Sequence, residues 1–324
     1  MSDKKKKRHG MNDILNATTW GIAQYIWKGH VVNWFWRDST RRRIVRESVH
    51  MQVLTRNLTK KWVPYIQRMS VPVAKDQLAE GRGLETEEKI FVLWFQGEEN
   101  APKVVKACIE SIRERYKDRV VLLTSDNLDQ YVKLPDYIVE LWKNGEMISA
   151  HYSDIVRMEL LKNYGGYWID ATALMTGEIF PEIEDSDFFM FMAGERICPY
   201  MFVQNCFIRS KRNNPLLVMW ENLVLEYWKS GDRPDYYFLV QYLFQLLVTH
   251  NEGAARLFEK MPRKSMDPTH VLWHEIGDLP FEEGKFKEMT QDAFFQKCSY
   301  KPHRHGVNEI KPGSFADVLI NGKK

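Results

Sequence analysis

Cysteine is scarce in this chain: Cys108, Cys198, Cys206 and Cys298 are the four in 324 residues. None forms a CxxC, which excludes a disulfide scaffold and argues against a zinc site. No apolar stretch of signal-peptide type follows the basic opening SDKKKKRHG, so reduced thiols in the cytoplasm are expected. Long hydrophobic runs are also missing. The richest stretch, Ile14 to Trp36, is broken by Lys28, and its uncharged part is too short to span a bilayer. There is no Gly/Ser/Pro-rich spacer between two halves, which leaves one main domain with an added segment as the economical organisation. Nor does an RNP, zinc-finger or helix-turn-helix signature accompany the basic residues, so nucleic acid is set aside as a partner.

Hydrophobic residues make up 44% and aromatic residues 13%, enough for a sizeable core. The charge is lopsided. Residues 1 to 70 hold 15 Lys and Arg against 4 Asp and Glu, a net +11 within a total of +3, which leaves −8 for the other 254. Trp20, Ala23, Trp27, Val31 and Trp34 fall at helical spacing, and Arg37, Arg41, Arg42, Arg43 and Arg46 follow at once. An indole-rich face flanked by arginine suits a helix lying on an anionic membrane surface. The bland alternative is an extra helical layer packed on the main domain. A polar, turn-like stretch from Lys75 to Glu88 divides residues 1–85, a basic Trp-rich helical segment, from 86–324.

Within the second part, KIFVLWFQ (Lys89 to Gln96) and RVVLLTSDN (Arg119 to Asn127) read as buried strands. Between them Val104, Val105, Ala107, Cys108, Ile109 and Ile112 form a helical face. That alternation predicts a βαβ crossover and a parallel sheet, with Gln96, Gly97 and Asn127 in loops at the strand ends where nucleotides lie. The segment SAHYSDIVRMELLKNYGGYWIDATALM, Ser149 to Met175, is more telling. Ser149 is the expected N-cap, Gly165-Gly166 stop the helix, and a short apolar strand delivers Asp170 to its end. Ala150, Asp154 and Arg157 share one stripe of that helix and are expected to face a common ligand. A carboxylate so placed suits a sugar-nucleotide enzyme of Rossmann-like build, and glycosyl transfer is the leading reading.

The stretches VLWFQGEENAPKVVKACIESI and VVLLTSDNLDQYVKLPDYIVELWKNGEMISAHYSDIVRMELLKNYGGYWIDATALM, with QNCFIRSKRNNPLLVMWENLVLEYW and DYYFLVQYLF beyond them, resemble the capsular polysaccharide synthesis glycosyltransferases. These are relatives of the family-32 sugar transferases, and the likeness runs over roughly residues 85 to 300. It implies an α/β fold of the GT-A (Rossmann-like) type and retaining transfer from a UDP-sugar. UDP-galactose is the expected donor and UDP-glucose the alternative. The acceptor would be a lipid-linked sugar, glucose on polyprenyl diphosphate, at the cytoplasmic face of the bacterial plasma membrane. The family's pattern falls on Ser153, Asp154 and Arg157 as donor-holding residues and on Asp170, Ala171 and Thr172 as the metal motif.

Thr172 departs from the usual Asp-x-Asp, so Mn²⁺ or Mg²⁺ would rest on Asp170 and be held weakly without UDP. His274 is the candidate for a further metal ligand, with His303 and His305 behind it, and Lys301 resembles the basic residue that closes over the diphosphate. Gln204 or Asn205, in FVQNCF, is the candidate polar group beside the anomeric carbon. A bulkier residue at Ala150 is expected to alter discrimination between galactose and glucose. Trp220, Trp228, Tyr236, Tyr237 and Phe238 are expected as core or as an aromatic platform for the acceptor. The competing class is a catalytically silent lipid- or glycan-binding adaptor, for which the missing second carboxylate speaks. The oligomeric state is left open.

Overall fold

The computed structural model describes residues 56–72, 88–196, 201–232, 236–301 and 310–322. The Trp-rich stripe, the arginine cluster, His303 and His305 lie outside the described residues. The chain divides into two compact units, Met1–Tyr65 with Cys198–Tyr200 and Ile66–Ile197 with Met201–Lys324. Of the smaller, 56–65 is described and is helical, part of a helix over 56–68. Among the described residues no helix is long and apolar enough to cross a membrane.

The larger unit is built on a five-stranded sheet. Its strands are β1 (Ile90–Leu93), β2 (Val120–Leu123), β3 (Gly166–Ile169), β5 (Phe188–Met192) and β6 (Val203–Ser210), in the order β2-β1-β3-β6-β5. β1 runs parallel to both β2 and β3, as the strand-helix-strand alternation requires. Between β1 and β2, α1 (Lys103–Tyr116) buries Val104, Val105, Cys108, Ile109 and Ile112 of the face expected from spacing, while Ala107 is only partly buried. The expectation of a parallel sheet fails in the other half, where β6 pairs antiparallel with β3 and with β5. The physical reason is connectivity, since only ten residues join the end of β5 to the start of β6, too few for a parallel crossover. Phe189, Phe191 and Phe207 from this half close on Phe294 and Phe295, with Phe207 and Phe294 centroids 5.0 Å apart, forming an aromatic core. A second sheet joins β4 (Ala173–Met175) antiparallel to β7 (Phe295–Lys297) and sets Ala173 opposite Lys297.

After β2 and a single helical turn at Leu128–Tyr131 come α2 (Asp136–Lys143) and α3 (Ser149–Tyr164). The cap of α3 is Ile148 and not Ser149. Ser149 is already helical, and its hydroxyl accepts instead from the Trp142 indole at 3.3 Å. Gly165 and Gly166 do end the helix, with φ of +70° and +88°. Beyond β6, α4 (Pro215–Lys229) starts where the Asn214 side chain accepts from the Leu216 and Leu217 amides. It packs against α3 and is followed by α5 (Leu239–His250) and α6 (Glu252–Glu259). The Asn251 side chain caps α6 and donates to the Ile66 and Met69 carbonyls, both at 2.8 Å, so the incoming chain is held at this corner.

Gly166 is where α3 must pass into β3. A Cβ there would sit 2.2 Å from the Lys89 carbonyl oxygen, whereas one at Gly145, at a similar φ of +74°, would meet nothing within 4 Å. Gly145→Ala should therefore cost about 1 kcal/mol, the left-handed penalty alone, and Gly166→Ala at least about 3, measured by urea denaturation. Glu221 on α4 is wholly buried, with Lys162 Nζ of α3 at 2.7 Å and Glu159 bound to the same ammonium. Burial first, then the Glu159 carboxylate, pushes the Glu221 carboxyl up to about 8 against the pull of Lys162. Between its ordinary value of 4.5 and about 8, the folded state keeps a proton that the unfolded chain has lost, so stability should fall as pH rises through that window. In urea titrations across that range Glu221→Gln should flatten the decline.

Candidate functional site

Directly after β3 comes Asp170, whose N–H donates to the Cys206 carbonyl at 2.8 Å and whose carbonyl accepts from the Ala173 amide. That tight turn carries the chain from the large sheet into β4. Trp168, two residues earlier on the extended strand, lies on the same side, and its indole donates to Asp170 Oδ1 at 2.8 Å. Arg157 of α3 stacks over the Trp168 ring at 4.8 Å and brings Nη2 to 3.5 Å from Oδ1. The other carboxylate oxygen, Oδ2, takes Lys297 Nζ of β7 at 2.8 Å, and the same ammonium donates to Thr172 Oγ1.

Behind this pair the network continues inward. Arg157 Nη1 donates to the Asn205 carbonyl at 2.6 Å and stands 3.2 Å from Asp154 Oδ1. That oxygen also accepts from Asn205 Nδ2 at 2.8 Å, and Gln241 of α5 donates to Asn205 Oδ1 at 2.8 Å. Asp154 and Arg157, one turn apart on α3, thus form a buried pair rather than a surface one. Their side chains are each 7% exposed, while Asp170 and Lys297 are 24% and 23% exposed, so the outer pair is the one open to solvent.

The charges adjust accordingly. Burial pushes the Asp154 carboxyl up, and Arg157 only partly opposes it. Burial would also raise Asp170, but Lys297 and Arg157 together outweigh it and hold the carboxyl below the ordinary range. For Lys297, burial works against the charged form, and the Asp170 carboxylate more than compensates, pushing the ammonium's pKa up.

The structure brings together Asp154, Arg157, Asn205 and Asp170 from the residues singled out in the sequence. Gln204 departs from them, as strand alternation requires, and its amide rests 4.0 Å from Met201 Sδ. Asn127 accepts from the Thr124 amide and donates to the Leu122 carbonyl, so its side chain is spent holding the loop after β2. Gln96 is exposed, and its carbonyl accepts from Asn100; Gly97, at φ +79°, permits the turn beside it. Ala150 is half-buried in the first turn of α3. Lys301 is exposed and lies 5.7 Å over the Tyr300 ring, and His274 stands 5.7 Å from His270, ring to ring. Trp220, Trp228 and Tyr236 are core residues, whereas Tyr237 is 58% exposed. Cys108, Cys206 and Cys298 are buried free thiols.

Sequence reasoning missed Lys297, Trp168 and Gln241. The one available signal was a lysine standing alone in the apolar run AFFQKCSY. Lys297 also bears on the expected Mn²⁺ or Mg²⁺. The oxygens near Asp170 are a single carboxylate, engaged at both atoms, and a threonine hydroxyl bonded to the same lysine. Among the described residues no three His, Cys, Asp or Glu converge as a metal would need. The residues present do not fit a divalent ion.

A carboxylate ringed by cations at the end of a central strand, beside two parallel strands, defines an α/β protein with a polar site at its sheet edge. The model of the family described as capsular polysaccharide synthesis protein matches residues 38–316, and the chain belongs to that family. The O-glycosyltransferase braB of Annulohypoxylon truncatum is 28% identical over 163 residues, which cover 45% of this chain and 39% of that protein. A solved structure titled PaToxG Glycosyltransferase aligns with a TM-score of 0.36 and 15% identity, over 66% of this chain and 84% of the other.

Arg157 is the cation shared by both carboxylates, and its loss strands a buried charge. Arg157→Met should cost about 3 to 5 kcal/mol of stability in urea denaturation, and adding Asp154→Asn to that variant should recover part of the loss.

Proposed function

We propose that the chain is a retaining hexosyltransferase of GT-A type that moves galactose from UDP-galactose to a polyprenyl-diphosphate-linked glucose during capsule repeat-unit synthesis. The observation that carries this is the Asp170, Lys297 and Arg157 cluster at the carboxyl end of β3. A diphosphate leaving group is stabilised by fixed cations at such a sheet edge. Family membership and the partial likeness to an O-glycosyltransferase agree with it.

In the transfer, the bond between the anomeric carbon and the β-phosphate oxygen of UDP breaks, and its electron pair stays on that oxygen. The acceptor hydroxyl oxygen bonds to the same carbon, and its proton passes to the departing phosphate. Developing negative charge falls to Lys297, which faces the ligand, while Arg157 holds Asp170 from behind. The carboxamide of Asn205 is tied at both ends, to Asp154 and Gln241, which suits a rigid polar wall better than a covalent nucleophile. Attack from the leaving-group face then accounts for retention. Tyr237, exposed near the site's charges, is the aromatic surface on which an acceptor sugar would stack. The basic N-terminal residues suit an acceptor held at an anionic leaflet.

The test is UDP release from a panel of UDP-sugars, with and without lipid-linked glucose and with and without Mn²⁺. Turnover of UDP-galactose stimulated by the acceptor is expected, and Asp170→Ala should lower it by roughly a hundredfold. Preference for UDP-glucose would correct the donor. Absence of turnover with every donor, alongside binding to anionic vesicles, would make the chain an adaptor.

A further inference from the structure

The outer face of the cluster contains a cation that has a donor to spare. An ammonium carries three N–H groups, and Lys297 spends two, on Asp170 Oδ2 and Thr172 Oγ1. Its side chain is 23% exposed, so the third can meet an incoming anion. Arg157 cannot serve in this way. It is 7% exposed, and its Nη atoms are engaged by the Asn205 carbonyl, Ser153, Asp154 and Asp170.

Lys297 also stands where a divalent ion would have to sit, against the carboxylate and the hydroxyl that would be its ligands. Such an ion would have to displace the ammonium, or share the pocket with it at the cost of two cations side by side. Thr172 fits the lysine, since a hydroxyl accepts from an ammonium without adding a second negative charge. A second carboxylate there would favour a doubly charged ion instead. Asp170 then acts on Lys297, holding it charged and aimed.

Resting on the donor reading above, we propose that Lys297 is the cation that binds the nucleoside diphosphate, so that UDP binds this chain without a divalent ion. Asp170 and Thr172 are positioning residues for it. The part that metal plays in many sugar-nucleotide sites belongs here to a side chain delivered by β7.

Titration calorimetry of the full chain with UDP, in EDTA and in Mn²⁺, decides the matter. For the wild type the two dissociation constants should agree within about threefold. In EDTA, Lys297→Met should weaken binding at least about tenfold, the loss of one charge-assisted contact, and Lys297→Arg should restore most of it. Melting curves run beside the titrations distinguish lost binding from lost folding. Should Lys297→Met not fold, the wild-type comparison decides alone. Binding seen only with Mn²⁺, or equally strong in Lys297→Met, would overturn the assignment while leaving the donor reading intact. No binding of UDP under either condition would overturn both.

Discussion

The structure depends on neutralising Asp170. A carboxylate three-quarters withdrawn from water is tolerated only with compensating charge and hydrogen bonds on every side. The partners come from separate parts of the chain: Trp168 from β3, Arg157 from α3 and Lys297 from β7. Asp154 and Asn205 repeat the arrangement one layer deeper, and Gln241 closes it from α5. Because each element satisfies a group on another, the network is cooperative, and no member can leave without stranding a neighbour.

The same constraint explains the division of labour in the sheet. The parallel half, β2-β1-β3, presents its strand ends and loops on one edge, where a nucleotide-like ligand is usually met. The antiparallel half supplies the wall. β6 offers the Asn205 side chain and carbonyl to α3, and beside it the phenylalanine cluster fixes β5, β6 and β7 together. That packing is what holds Lys297 at a fixed distance from Asp170, although the two are far apart in the chain.

Much of the site's inner layer was legible because it is local. Asp154 and Arg157 share a helical turn, Gly165-Gly166 announce the end of that helix, and Asp170 follows a short apolar strand, all within one run of the chain. Asn205 was legible as a polar pair with Gln204, but only the pleat of β6 separates the two. Ser149 failed as a cap because the helix began a residue earlier, with Ile148 in extended backbone. Lys301 drew attention through resemblance, while Lys297 gave no local sign beyond standing alone among apolar residues. Its role arises from β7 pairing with β4, a contact between strands over a hundred residues apart.

The linear sequence thus determined what depends on spacing along a few turns: the βαβ start, the helix bearing an acid and a base, the glycine exit and the carboxylate at its end. Periodicity and backbone chemistry act over that range, and they can be read from neighbours. The tertiary structure alone decided that the sheet is mixed, that Asn127 serves its loop, and that a lysine from β7 occupies the position beside Asp170. Those outcomes rest on long-range strand pairing and on the need to balance buried charge, which no local pattern encodes.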